Sequence, residues 1–146
     1  MALIEELDAW AEERDPGCET IAYGDHPDHV CDRRGDGDRV AVLVHGGFWR
    51  PAFTRRSTRA LAVDLARRGW TTWNVEYRRE GVDATLPDVV AALELTGPAT
   101  AIGHSAGGHL VLWAAAEGLV ERAVSLAGVT DLARAARERI GDGAAV

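Results

Sequence analysis

Ser105 stands within Gly103-His104-Ser105-Ala106-Gly107, a G-x-S-x-G spacing between a short apolar run and a helix-forming one. That spacing puts a serine on a tight strand-to-helix turn with its hydroxyl pushed clear of the sheet. A Cβ at either glycine would collide with neighbouring backbone in so tight a turn. A serine hydroxyl is a poor nucleophile. Acyl transfer by it needs a base, an acid that orients the base, and donors for the developing oxyanion. One donor follows from the motif itself: the backbone N–H of Ala106, at the start of a helix whose dipole favours negative charge there. Further donors can come from His45-Gly46-Gly47-Phe48-Trp49, where glycines let N–H groups face a carbonyl without side-chain obstruction. The base is harder to find, since His109 is the only histidine beyond Ser105. It lies one helical turn on, whereas a base must approach from the solvent side. His109 is therefore expected to be buried and hydrogen-bonded, and His104 to point into the packing around the turn.

These segments need a frame. Leu3, Ile4, Leu7 and Trp10 recur at helical spacing, so an amphipathic helix is expected before Asp15-Pro16-Gly17. Short strands are expected at Glu19–Tyr23 and His29–Arg33, and a strand covered on both faces at Arg39–Val44. A helix over Thr54–Arg68, a strand at Thr71–Tyr77 and a helix opening at Pro87 and ending at Gly97 follow. Ala99–Ile102 delivers Ser105, Ala106–Glu117 is the helix behind it, and Ala123–Ala127 is the last strand. Strands alternating with helices of this length imply βαβ units, hence an α/β, three-layer α/β/α sandwich with a mostly parallel sheet. Val124–Val129 carries no charge, proline or bulge of the kind that protects an edge, so it reads as an interior strand whose outer neighbour is absent. The 146 residues are thus expected to form a single α/β domain cut short at its C-terminal side, with a polar helix at Asp131–Arg139 and a frayed tail at Gly141–Val146.

Composition narrows the function classes. A hydrophobic content of 47% with 27% charged residues describes a globular chain, and a net charge of −7 argues against nucleic acid as the main partner. No apolar run reaches membrane-spanning length. The acidic N-terminus is no signal peptide, so a cytoplasmic protein with two free thiols, Cys18 and Cys31, is expected. Cys18, Cys31, His26 and His29 lie near one another but match no metal-ligand spacing, so neither a metal nor an organic cofactor is expected. Thr130-Asp131 ahead of an Ala/Arg-rich stretch reads as a helix N-cap. His45 is read as stiffening its loop, Trp49 as lining an acyl pocket or anchoring the loop, and Glu76 and Asp88 as surface or capping carboxylates.

The pair His45-Gly46-Gly47-Phe48-Trp49 and Gly103-His104-Ser105-Ala106-Gly107-Gly108-His109-Leu110 resembles the α/β-hydrolase superfamily. The match is nearest to its kynurenine formamidase and feruloyl-esterase-like branch (HGGxW, then GHSAGGHL). Tyr77-Arg78 and Leu86-Pro87-Asp88-Val89 also look like that branch, and the resemblance runs from Tyr23 to Leu132. It implies that Ser105 is the nucleophile and that Gly47 and Phe48 join Ala106 as oxyanion donors. It further implies a small-molecule ester or N-formyl amide as substrate, as in an arylformamidase or carboxylesterase. The family's acid and histidine follow two further strands that this sequence does not contain, which makes the chain catalytically incomplete as it stands. A non-catalytic remnant that binds a ligand or partner is the alternative, and oligomeric state stays open.

Overall fold

The computed structural model describes residues 2–48 and 50–140. Helix α1 (Ala2–Arg14) precedes a six-stranded sheet built from β1 (Glu19–Ala22), β2 (Val30–Arg34), β3 (Arg39–Val44), β4 (Trp70–Val75), β5 (Thr100–His104) and β6 (Arg122–Leu126). Between the strands run α2 (Arg59–Arg67), α3 (Val82–Thr96) and α4 (Ala106–Ala116), and α5 (Leu132–Arg137) follows β6. The strand order is β1-β2-β4-β3-β5-β6. β4, β3, β5 and β6 are parallel, and β1 and β2 extend them antiparallel. The α/β sandwich expected from the alternation of strands and helices is the observed fold.

β3 is apolar from Val40 onward because both its faces are covered. Val42 and Val44 join the core formed with Val75, Val89, Leu110 and Val111 under α3 and α4. Ala41 and Leu43 face the other way, onto Ala62, Leu61 and Leu65 of α2. After β3 the chain crosses over to β4 on one side, and after β4 it returns past β3 to β5 on the other. The C-terminal ends of β3 and β5 therefore flank the point where strand order reverses, which is where open α/β sheets form their crevice.

Several local expectations are corrected. The Thr54–Arg68 segment is not one α-helix; it opens with a 3₁₀ turn at Arg55–Thr58 capped by the Thr54 side chain. Pro87 lies inside α3 rather than at its start, since that helix begins five residues earlier, just after Gly81. The first helix forms, but Leu3 and Leu7 stay exposed while Asp8 and Ala11 are buried. The reason is electrostatic: the neighbouring surface offers Arg56 and Arg59, which pair with Asp8 at 2.5 and 3.4 Å. Arg34, 2% exposed, grips Asp15 at the end of the same helix. β6 is an edge strand of the described sheet, with Val124 and Leu126 exposed at 42% and 41%. The Gly141–Val146 tail lies outside the described residues. Cys18 and Cys31 are free thiols, and burial followed by the Asp32 charge pushes the Cys31 thiol up to about 12, which keeps it unreactive. Among the described residues no helix is long and apolar enough to cross a membrane.

The two-faced burial of β3 sets an expectation. Leu43→Ala, at a fully buried site, should cost about 2–5 kcal/mol in urea unfolding. Leu3→Ala, on the exposed face of α1, should stay within about 0.5 kcal/mol.

Candidate functional site

Ser105 occupies the first residue after β5 with φ 53° and ψ −116°, a conformation an L-residue adopts only under constraint. Its backbone supplies the constraint. The Ser105 N–H donates to the Leu126 carbonyl at 3.0 Å, and its carbonyl accepts from His109 N–H at 3.3 Å and Val129 N–H at 3.2 Å. The end of β6 thus holds the turn from outside. From inside, a Cβ at Gly103 would lie 2.0 Å from the Gly107 carbonyl oxygen, and one at Gly107 would lie 2.1 Å from that of Val44. Only glycine permits this approach. The Ser105 side chain makes no capping bond to α4, and Ala106 behind it is fully buried as the first residue of that helix. A first-turn N–H has no partner within its helix, so the Ala106 amide sits at the positive end of the α4 dipole.

The glycine loop after β3 lies against this turn. Val44 pairs with Gly103 across the sheet, and a Cβ on Gly46 would sit 2.8 Å from Ser105 Cβ and 3.4 Å from Ala106 N. The structure brings Ser105, Ala106 and the Gly46-Gly47-Phe48 segment together. Three successive carbonyls of the loop are tied down: His45 O accepts from the Tyr77 hydroxyl at 2.7 Å, Gly46 O from His45 Nδ1 at 2.7 Å, and Gly47 O from Arg50 N–H at 2.9 Å. No peptide bond here is cis. A trans peptide holds C=O and N–H antiparallel, so the N–H groups of Gly46, Gly47 and Phe48 point away from those partners. Gly47 (φ 125°) and Phe48 (φ 54°) take left-handed conformations to achieve the turn. Trp49 lies outside the described residues.

Behind the loop is a buried charge cluster. His45, fully buried, places Nε2 at 2.7 Å from Glu76 Oε1 and stacks on Tyr77 with ring centroids 4.4 Å apart. Glu76 is only 2% exposed, and its other oxygen accepts from Arg55 N–H at 3.0 Å while Arg79 pairs with the first. Burial pushes the Glu76 carboxyl up, but the His45 bond and charge, the Arg55 amide and Arg79 outweigh it and hold it below its ordinary value. Asp88, also 2% exposed, binds the Arg78 guanidinium and backbone N–H and faces His29 Nε2 at 3.0 Å. Burial raises its carboxyl too, and the Arg78 bonds bring the net shift below the ordinary value. Neither carboxylate is the surface group expected from sequence. Each also meets a basic side chain from a distant segment, His45 and Arg55 at Glu76 and His29 at Asp88, and no local pattern announces such a pairing. The Glu76-Tyr77-Arg78-Arg79 run, an acid and two arginines directly after a strand, is the one available cue.

The other histidines sort out plainly. His104 is exposed at the end of β5, not packed into the turn. His109 is half-buried beside an apolar cavity of about 150 Å³ lined also by Val82, Leu86, Leu110, Trp113 and Leu132. Burial lowers its ring pKa and a hydrogen bond to the Val129 backbone only partly offsets this. Asp131 caps α5, accepting from Arg134 N–H at 2.8 Å. Among the described residues no three His, Cys, Asp or Glu side chains gather as a metal site.

A mostly parallel sheet carrying a serine on a left-handed elbow at its switch point, faced by a diglycine loop, defines the α/β-hydrolase class of architecture. The chain belongs to the alpha/beta hydrolase family, which its sequence matches over residues 41–145. Among solved structures it is similar to a bacterial heroin esterase (27% identity, TM-score 0.67, covering 89% of this chain and 50% of that one). It is similar also to EstE7, a homologue of HSL from a metagenome library (27%, 0.62, 88% and 51%). A candidate thioesterase from Silicibacter sp. TM1040 shares the fold (23%, 0.77, 95% and 60%). The chain spans 50–60% of the length of these three structures. No curated protein matches it.

The depressed carboxyls carry a pH signature. Above about pH 5 Glu76 and Asp88 are ionised whether the chain is folded or not, and their contribution to stability is complete. As pH falls through the ordinary values of 4.5 and 3.8, the unfolded chain takes up protons that the folded chain refuses, so stability drops. The urea midpoint should therefore decline on acidification through this window, and less steeply in Asp88→Asn. A midpoint flat down to about pH 3 would remove the assigned role of these ion pairs.

Proposed function

We propose that this chain carries the nucleophile half of a serine hydrolase that cleaves carboxylic esters or N-formyl amides. The observation that carries the reading is the contact of the Gly46 backbone with Ser105 on its strained elbow. In this scheme the Ser105 hydroxyl attacks the acyl carbon, and the amides of Gly47, Phe48 and Ala106 receive the oxyanion. Preorganised donors of this kind are worth about 10²–10³ in rate apiece. The esterase architecture of the similar structures supports an ester substrate, while the HGGxW and GHSAGGHL motifs support the arylformamidase branch. The scheme needs a base and an orienting acid in addition to these residues. His45 is held from both sides and His109 stands behind the elbow, so neither reaches the substrate face.

The test is turnover of p-nitrophenyl butyrate and N-formylkynurenine by the protein with its natural downstream sequence. Ser105→Ala should lower kcat/KM by about 10⁴-fold or more, with the fold intact by circular dichroism. Activity retained in that variant removes Ser105 from the mechanism. Preference for the formamide over the ester supports the arylformamidase branch, and the reverse supports a carboxylesterase. The competing reading, a non-catalytic module that binds partners, is favoured by the exposed apolar edge at Val124 and Leu126. It requires an assembly by native mass measurement together with absence of turnover in the same extended protein.

A further inference from the structure

His45 faces two groups that only accept. Nδ1 is 2.7 Å from the Gly46 carbonyl oxygen and Nε2 is 2.7 Å from a Glu76 carboxylate oxygen. A neutral imidazole has one N–H and one lone pair, so it satisfies one of these and repels the other; the doubly protonated ring donates to both. The site is built to hold that state. Glu76 is anchored by Arg55 N–H, Tyr77 N–H and Arg79, with the Arg55 guanidinium 3.7 Å from Oε2. Tyr77 lies flat against the ring and bonds the His45 carbonyl. Water has no access, since His45 is fully buried.

We propose that Glu76 is a positioning residue for the oxyanion loop: its carboxylate keeps His45 doubly protonated, so that Nδ1–H holds the Gly46 carbonyl inward and the Gly47 N–H outward. The chain of cause runs through one peptide plane. Gly46 C=O and Gly47 N–H belong to the same trans unit, so whatever grips the oxygen aims the hydrogen. If the ring lost its Nδ1 proton, a lone pair would face the carbonyl oxygen at 2.7 Å. The plane would then turn, replacing a donor by an acceptor at the mouth of the site. The value of that amide to catalysis rests on the hydrolase reading above; the grip itself is a property of the resting chain.

Nitrogen-15 NMR of the histidine rings tests the grip without turnover. Near neutral pH both His45 ring nitrogens should show bound protons. In Glu76→Gln no carboxylate charge remains to balance an imidazolium beside Arg79 and Arg55, so the ring becomes neutral and one nitrogen moves to its unprotonated resonance. The Gly47 and Phe48 amide signals should shift with it, while those of α1 stay in place. In the protein with its downstream sequence, the same variant should lose about 10²-fold in kcat with KM within a few-fold. A single proton on the unsubstituted His45 ring overturns the proposal, and so do unmoved Gly47 and Phe48 signals in Glu76→Gln. If that variant does not fold, the measurement on the unsubstituted chain decides alone. Full turnover by Ser105→Ala would defeat the hydrolase reading and leave these signals as they are, so the two failures are distinguishable.

Discussion

Two backbone segments at the C-terminal ends of β3 and β5 lie closer together than any side chain would permit, and the rest of the site follows from that approach. Gly107 packs under the Val44 carbonyl and Gly46 against Ser105. The contact exists because β3 and β5 are adjacent parallel strands in register, Val44 opposite Gly103. Parallel adjacency in turn requires helical crossovers on both faces, which is why β3 is apolar on both sides. A strained Ser105 is tolerated because three backbone hydrogen bonds, one to the last residue of β6 and one to the segment following it, over-determine it.

Charge is used inside this molecule as a geometric device more than a source of stability. Desolvating an ion pair costs roughly what its attraction returns, so buried pairs say little about net stability. They do enforce direction. Glu76 orients His45 beneath the glycine loop, Asp88 ties Arg78 and His29 between β4 and α3, and Asp8 and Asp15 draw α1 onto Arg34, Arg56 and Arg59. The first helix thus docks by carboxylates where its leucines find no apolar surface.

In the proposed scheme the catalytic parts divide along the chain in the way the fold divides. Ser105 and the amides assigned to the oxyanion stand on backbone at two neighbouring strand ends, β5 and β3. A base must reach over them from the open side, and two of the histidines described here are committed elsewhere, His45 to Glu76 and Gly46, His109 to the Val129 backbone. The family and the solved esterase structures share this frame, and the chain spans about half to three-fifths of their lengths.

Much was legible in the residues because local rules govern it. Alternation and apolar runs placed β3 to the residue and the other strands to within one or two positions. The G-x-S-x-G spacing located the elbow, since a turn that tight admits few residue types. Asp131 as a cap was legible for the same reason: its partner is three residues away. What escaped were pairings across long sequence separations. Glu76 and Asp88 looked like surface groups until folding delivered His45, Arg55, Arg78 and His29 to them, and His104 looked packed until the sheet rim exposed it. The sequence by itself determined the fold class and the elbow, because periodicity and steric limits act within a few residues. Which carboxylate holds which cation, and which amides point outward beside Ser105, only the tertiary structure decided, because burial and peptide orientation are set by neighbours from elsewhere in the chain.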